Sequence, residues 1–165
     1  MVSPDLDRCL AVILDCTSGV TIEAAARRAG GRWSPVEIVE HLQKAYFGTA
    51  KGLERCLERG TPLATTGTLK QSVQALAVIR LGYFPKGRQA PKFTVPTGTV
   101  TLPDVIDGVK KDLVRLDAAA AEVEKALGSV KVLDHPVLGP LTVDQWLRFH
   151  LVHTRHHEQQ IRARC

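Results

Sequence analysis

The sequence predicts an all-α protein, and three observations support this fold class. Apolar residues recur at intervals of three and four along several segments, on backgrounds rich in Ala. Two capping boxes mark helix starts. The segment 84–101 holds three prolines and two glycines, a composition that cannot continue a helix. We therefore expect a set of helices interrupted by one long loop.

The helix starts are best defined at the two capping boxes. Ser34 with Glu37, and Thr142 with Gln145, are spaced so that each side chain satisfies the backbone N–H of the other residue. Pro35 occupies the favoured first helical position. The expected helices span residues 4–16, 20–29, 34–59, 69–83, 102–127 and 142–163.

The helix expected over 102–127 has the least ambiguous pattern. Its apolar stripe consists of Val105, Val109, Leu113, Leu116, Ala120, Val123 and Leu127. Charged residues fall mostly on the other faces, as on a surface helix with one buried face. Gly108 interrupts this helix and weakens it by about 1 kcal/mol without ending it.

The segment 84–101 is expected to be a long surface loop. Loops of this length in compact domains often contribute to a functional site. The same composition also fits a plain connector, and the sequence leaves both interpretations open.

Length and composition indicate one domain over residues 1–165, with 44% hydrophobic residues to fill a core. There is no apolar stretch of about 18 residues, and the first residues carry two Asp where a secretory signal carries positive charge. We therefore expect a cytoplasmic protein without a membrane partner. The four cysteines lack C-x-x-C spacing, so neither a disulfide framework nor a thiolate zinc site is indicated.

The formal net charge of +5 can attract nucleic acid, an acidic partner or an anionic small molecule. The segment RRAGGR and the Arg-rich C-terminus suggest nucleic-acid binding. The sequence has no helix-turn-helix signature, zinc-finger spacing or interleaved aromatic and basic residues, so nucleic-acid binding is disfavoured.

Four histidines lie within the segment HLVHTRHH of the last expected helix. At about 100° per residue, His150, His153, His157 and Gln160 project within roughly 80° of one another. His153 and His157 are one turn apart, a spacing that places two imidazole nitrogens on one metal ion. The same spacing also fits histidines that cap carbonyls, face the helix dipole or cover surface. No Glu follows His153, so the metalloprotease motif H-E-x-x-H is absent.

A metal site of this kind needs a third ligand, since two histidines rarely hold a catalytic metal alone. His41 and His135 are the histidines outside the last helix. His41 lies two turns into a capped amphipathic helix, whereas His135 lies in the turn segment DHPVLGPL, where it can help to order the loop. His41 is preferred as a ligand, with a hydrogen-bonded core histidine as the alternative.

The segments that carry these histidines resemble those of the DinB/YfiT-like superfamily. WSPVEIVEHL resembles its W-S-x-x-E-x-x-x-H-L segment, and HTRHHEQQI resembles its C-terminal H-x-x-H-H-x-x-Q motif. The longer stretch HPVLGPLTVDQWLRFHLVHTRHHEQQI, with PKFTVP upstream, is similar to a branch of that superfamily known only as a domain of unknown function.

The resemblance implies a four-helix bundle with up-down-down-up topology and short additional helices. It also implies one divalent ion, zinc or nickel, held by His41, His153 and His157. Gln160 matches the motif glutamine and is expected to contact a ligand or a bound group without coordinating the metal. His156 is assigned to the same supporting role or to the surface. His150, on the ligand stripe, is a further supporting candidate.

The activity that the resemblance implies is transfer of a group to a low-molecular-weight thiol, with a small molecule as second substrate. Basic residues can attract the carboxylates of such a thiol, and the candidates are Arg80, Lys86, Arg88 and Lys92. A metal-dependent hydrolase is the alternative enzyme. A metal-stabilised binding or stress-response module, without turnover, is the alternative from another class. A homodimer fits each interpretation.

Overall fold

The computed structural model describes residues 3–84 and 89–165. Within these residues it contains six α-helices, a short 3-10 turn and one two-stranded sheet. The helices are α1 (Pro4–Cys16), α2 (Ile22–Ala26), α3 (Pro35–Arg59), α4 (Leu69–Leu81), α5 (Leu102–Leu127) and α6 (Val143–Arg162). The strands are β1 (Leu133–His135) and β2 (Gly139–Leu141), and the 3-10 turn spans Lys92–Thr94. The described chain is mostly helical, as predicted.

Both capping boxes predicted from the sequence are present. Ser34 N–H donates to a Glu37 carboxylate oxygen at 2.8 Å, and Glu37 N–H donates to Ser34 Oγ at 3.4 Å. At the start of α6, Thr142 and Gln145 make the same reciprocal pair at 3.1 and 3.2 Å. Pro35 occupies the first turn of α3. These caps fix where α3 and α6 begin, and hence where their histidines lie.

Two expected helices are shorter in the structure. The helix expected over 20–29 is α2, which begins after the cap residue Thr21 and ends at Ala26 because Arg27 adopts an extended backbone with ψ of 119°. The helix expected over 69–83 ends at Leu81, since Gly82 adopts the left-handed conformation with φ of 66°. A left-handed glycine is a common way to end a helix.

The hairpin between α5 and α6 was not predicted. Its strands are antiparallel, with Leu133 opposite Leu141 and His135 opposite Gly139. Strands of three residues are too short to show a period of two, so the sequence pattern indicates only a turn here. The imidazole Nδ1 of His135 accepts hydrogen bonds from the N–H groups of Val137 at 3.1 Å and Leu138 at 3.2 Å. This histidine orders the hairpin turn.

The core lies between α1, α3, α5 and α6, the four helices of the bundle. α5 packs mainly on α3, α1 packs mainly on α6, and α4 packs on α6 and β2. Side chains without exposed surface come from all four, including Leu6, Ile13, Ile38, Leu42, Tyr46, Leu116, Leu151 and Ile161. Burying a large apolar side chain contributes about 1.5 to 3 kcal/mol, so this shared core holds the helices together. None of the helices in the described ranges is both long and apolar enough to cross a membrane.

Candidate metal centre

Three histidines each bring one ring nitrogen to a common point: His41 on α3, and His153 and His157 on α6. The Nε2 atoms of His41 and His153 are 3.2 Å apart, and those of His157 and His153 are 3.1 Å apart. The three candidate ligand atoms all lie within 4.8 Å of one another. Two nitrogens bound to one tetrahedral zinc ion at about 2.0 to 2.1 Å lie about 3.4 Å apart. The spacing of the three imidazoles therefore fits shared coordination of one ion.

Buried hydrogen bonds align α3 with α6 beside this cluster. The hydroxyl of Tyr46 on α3 lies 2.5 Å from Thr154 Oγ1 on α6. Thr154 Oγ1 donates in turn to the carbonyl oxygen of His150 at 2.7 Å, so the tyrosine hydroxyl is the donor of the pair. Tyr46 and Thr154 have no exposed surface. This contact fixes the approach of the two helices that carry the three histidines.

The carbonyl oxygen of Thr94 determines which nitrogen of His41 carries the proton. It lies 3.0 Å from Nδ1 of His41, and Thr94 is buried at the end of the 3-10 turn. A carbonyl oxygen only accepts hydrogen bonds, so Nδ1 is the protonated nitrogen. The Nε2 atom of the neutral His41 ring then presents a lone pair to the cluster, as metal coordination requires.

Gln160 has the same effect on His157. Its Nε2 amide group donates to Nε2 of His156 at 3.2 Å, and its Oε1 accepts from Nδ1 of His157 at 3.2 Å. Both contacts are satisfied by a single orientation of the amide. With Nδ1 protonated, Nε2 of His157 also presents a lone pair to the cluster. The supporting role predicted for Gln160 thus corresponds to a direct contact with a candidate ligand.

His153 lies between the other two candidate ligands and packs against two aromatic rings that also contact each other. Phe84 and Phe149 both stack on its imidazole, with ring centroids at 5.5 and 5.3 Å and interplanar angles of 17° and 19°. Its Nδ1 is buried and has no hydrogen-bond partner among the described residues. Its Nε2 faces two lone pairs, and a single N–H can serve only one of them. A cation at this point would satisfy all three nitrogens, so the residues present fit a metal ion.

Burial keeps these imidazoles in the form that binds metal. Loss of hydration lowers the pKa of His157 to about 3 and lowers the pKa of His41 and His153 below the ordinary value. The neighbouring imidazoles lower the pKa of His153 further, since each would be positively charged if protonated. All three rings are therefore neutral near pH 7, and no proton competes with a metal ion there.

The other two supporting candidates occupy different positions. His150 is completely buried, and its Nε2 donates to Thr49 Oγ1 at 3.0 Å, so it contacts α3 and none of the three clustered histidines by hydrogen bond. Burial lowers its pKa to about 3. His156 is half-buried and stacks on Phe84, with ring centroids 4.8 Å apart. It reaches the cluster through the amide of Gln160.

The segment after the 3-10 turn is fastened to α3 on both sides of His41. The Glu40 carboxylate accepts hydrogen bonds from Thr97 N–H at 2.8 Å, Thr97 Oγ1 at 2.8 Å and Gly98 N–H at 3.1 Å. It also pairs with Lys44 at 2.9 Å, and Lys44 donates to Val95 O at 2.7 Å. Burial raises the pKa of Glu40, but these donors outweigh it and hold that pKa below the ordinary value. The loop therefore contributes to the site rather than only connecting two helices.

A cavity of about 1120 Å³ adjoins the cluster. Its walls are mainly aromatic and apolar, and include Trp33, Phe84, Phe93, Leu133, Val137, Trp146 and Phe149. His41, His153 and His157 also line it. Concave, mostly apolar sites with a few convergent polar groups are typical of small-molecule binding.

Four basic residues were proposed from the sequence, and the two that the structure describes do not line this cavity. Arg80 and Lys92 are exposed and do not line it, and Lys86 and Arg88 lie outside the described residues. Among the described residues, two arginines line it, Arg32 and Arg164, and sequence reasoning did not assign either to the site. Thr94, which contributes a backbone oxygen, was also missed.

Comparisons with curated proteins and with solved structures gave no match. One family model, described as "Protein of unknown function (DUF1569)", matches residues 16–164. That range contains all three clustered histidines and Gln160. It also contains the loop whose residue Thr94 is hydrogen-bonded to His41. The chain therefore belongs to DUF1569, a family of proteins of unknown function.

Proposed function

We propose that this protein is a metal-dependent enzyme that transfers a group to a low-molecular-weight thiol. In this proposal His41, His153 and His157 hold one zinc or nickel ion, and the substrates occupy the adjoining cavity. The observation that carries the proposal is the convergence of three buried imidazoles, two of them with Nδ1 already engaged by Thr94 and Gln160. This arrangement is typical of catalytic sites with three histidine ligands.

A divalent ion held by three neutral imidazoles keeps its full charge and lowers the pKa of a thiol or a water molecule that binds to it. The protein residues supply the rest. Thr94 and Gln160 hold the proton on Nδ1 of His41 and His157. Phe84 and Phe149 pack against the ring of His153 and limit its orientation.

The size of the cavity favours transfer between two molecules. Pockets that bind one small molecule commonly measure about 300 to 1,000 Å³. The cavity here, at about 1120 Å³, is slightly larger than that range, which is compatible with a thiol and a second substrate together. The resemblance of the histidine segments to the DinB/YfiT-like superfamily also supports thiol transfer.

We also propose the bundle topology that this resemblance implies, with the long helices arranged up, down, down, up. Contacts between α1 and α6 support it. Asp5, early in α1, pairs with Arg148, early in α6, at 3.3 Å. Asp15 and Arg162 pair near the ends of the same two helices. Pairing start with start and end with end is expected of helices that run in the same direction.

Contacts between α3 and α5 support the topology in the same way. Gln43 donates to Asp112 at 3.0 Å, and Arg115, further along α5, binds Glu54, further along α3, at 2.5 Å. The two middle helices of an up-down-down-up bundle follow each other in the bundle and run in the same direction, as its first and last helices do. The long segment between α3 and α5 has the length that such a return requires.

The metal content of the purified, untagged protein tests the central proposal. We expect about one divalent ion per chain by elemental analysis, and sharp loss of that ion in the His153→Ala, His157→Ala double variant. His135→Ala is the matched control, because His135 lines the cavity but lies outside the histidine cluster. Full metal content in the double variant would refute the site.

The reaction is tested with a panel of thiols and electrophiles on protein of known metal content. Thiol-dependent product formation that the double variant lacks would support a transferase. Product formation without thiol would replace the transferase with a hydrolase. Metal binding without any turnover, together with loss of the fold on chelation, would favour a metal-stabilised binding module.

A further inference from the structure

Two arginines that line the cavity have no acidic partner in the part of the chain that the structure describes. Arg32 lies just before α3, and Arg164 lies just after α6. Both line the cavity that contains the histidine cluster. Neither forms an ion pair among the described residues, whereas neighbouring cations do: Arg28 binds Glu37, and Arg162 binds Asp15 and Glu158.

Arg164 is tied to the wall of the site. Its Nη1 donates to the carbonyl oxygen of Trp33 at 2.5 Å. The indole ring of Trp33 packs against the imidazole of His41, with centroids 5.2 Å apart. Trp33 therefore lies between the guanidinium group of Arg164 and His41, a candidate metal ligand. Its remaining N–H groups make no hydrogen bond among the described residues.

The two positive charges are close enough to affect each other. Burial lowers the pKa of Arg164, and the charge of Arg32 lowers it further. Arg32 is exposed and Arg164 is half-buried, so water screens part of their repulsion, and no counter-ion among the described residues offsets the rest. An anion between the guanidinium groups would offset that remaining repulsion, and a guanidinium group is well suited to bind carboxylate, sulfonate or phosphate oxygens.

The rest of the cavity suits the apolar part of the same ligand. Trp33 follows Arg32 directly and is half-buried in the wall, and Phe93 exposes its ring to the cavity from the 3-10 turn. Gly48 lies under Phe93, where an added Cβ would be only 3.3 Å from the ring. This part of the lining is aromatic and uncharged, whereas Arg32 and Arg164 carry two positive charges.

We propose that Arg32 and Arg164 form an anion-binding subsite, and that the cavity takes an organic anion whose apolar body lies against Trp33 and Phe93. The inference rests on the proposed function only in taking this cavity as the substrate site. The arginines act on the ligand directly and require no metal ion.

Two dyes with one skeleton test the subsite. 8-Anilinonaphthalene-1-sulfonate carries an anionic group on an aromatic body, and N-phenyl-1-naphthylamine has the same body without the charge. Fluorescence titration should show tighter binding of the anionic dye to the wild-type protein. The Arg32→Gln, Arg164→Gln double variant should bind the anionic dye about tenfold or more weakly, with little change for the neutral dye.

Arg27→Gln is the matched control, because Arg27 belongs to the same basic segment but is exposed and does not line the cavity. It should leave the affinity for both dyes unchanged. An equal loss for Arg27→Gln, or an equal loss of the neutral dye in the double variant, would overturn the subsite. So would unchanged affinity for the anionic dye.

The titrations are repeated on chelator-treated protein and on the His153→Ala, His157→Ala variant. Dye selectivity that persists there supports the anion subsite whether or not the metal proposal holds. Normal metal content in the double arginine variant, with lost dye selectivity, would likewise separate the two proposals. Selectivity that disappears whenever metal is removed would overturn a subsite made by the arginines alone.

Discussion

Thr94 and His41 are separated by 53 residues in the chain, and the backbone oxygen of Thr94 accepts a hydrogen bond from Nδ1 of His41 at 3.0 Å. This contact makes the loop part of the candidate metal centre. The loop is held in turn by Glu40, the residue that precedes His41 on α3. One turn of α3 thus carries both a candidate ligand and the group that positions its hydrogen-bond partner.

Glu40→Gln should therefore weaken metal binding although Glu40 contacts no candidate ligand. The amide cannot accept all the hydrogen bonds from Thr97 and Gly98, and it loses the ion pair with Lys44. We expect metal affinity to fall by about 10- to 100-fold, measured by competition with a chromophoric chelator. The free energy of unfolding should fall by about 1 to 3 kcal/mol.

Glu54→Gln is the control for that experiment. Glu54 lies on the same helix and pairs with Arg115, away from the cluster. Its loss should change stability by no more than about 1 kcal/mol and leave metal affinity unchanged. Equal metal affinity for both variants would show that the loop does not position His41.

Gln160→Ala should lower metal affinity by about 10- to 100-fold while the protein remains folded, because His157 loses the acceptor that keeps its proton on Nδ1. Gln159→Ala is the matched control, since Gln159 is exposed and makes no hydrogen bond to a histidine. Circular dichroism and chelator competition give the two readouts. If both variants bind metal alike, the amide bridge has no part in coordination.

Acid should destabilise the metal-free protein partly through His150. Burial lowers the pKa of folded His150 to about 3, whereas an unfolded histidine has a pKa of about 6.5. Between these values the unfolded chain binds the proton and the folded chain does not, so stability falls as pH drops below about 6.5. From pH 7 to 5 this costs about 1 to 2 kcal/mol.

Urea unfolding with chelator at both pH values measures this effect. His150→Leu should lose less stability on acidification than the wild-type protein. Thr49→Val is the control, because it removes the hydrogen-bond partner of His150 but keeps the titrating ring. That variant should be less stable at both pH values and keep the wild-type pH dependence. An unchanged pH dependence in His150→Leu would contradict the assignment.

Gly108 lies where α5 closely approaches α3, and substitution there tests this contact. A Cβ at this position would overlap the carboxamide of Gln43, which is held by Asp112. Gly108→Ala should therefore destabilise the protein, although alanine is favoured over glycine in a helix by about 1 kcal/mol. In a Gln43→Ala background the same change should stabilise it by about that amount. Thermal or urea unfolding of the four proteins measures the difference, and a stabilising Gly108→Ala in the wild-type background would contradict the close contact.

Sequence patterns located the helices well where local chemistry determines them. Ser34 with Glu37, and Thr142 with Gln145, form capping boxes at the predicted positions. The apolar stripe of α5 is buried from Val105 to Val123. The grouping of His41 with His153 and His157 followed from helical spacing and from the family resemblance, and the structure brings these three residues together.

The sequence carries no recognisable pattern for contacts that backbone groups make or that join distant residues. The hairpin of β1 and β2 is too short to show alternation. Thr94 acts through its carbonyl oxygen, which every residue type has. Arg32 and Arg164 lie at opposite parts of the sequence and meet only because α3 begins where α6 ends.

The use of a main-chain oxygen to hold His41 changes what substitution can do at the loop. Replacing the side chain of Thr94 removes its bond to the Pro91 carbonyl but leaves the acceptor for His41 in place. Adding or deleting one residue between Pro91 and Thr97 would shift that acceptor away from the imidazole, because Thr97 would still be hydrogen-bonded to Glu40. The length of this segment is therefore more tightly constrained than the identity of its residues.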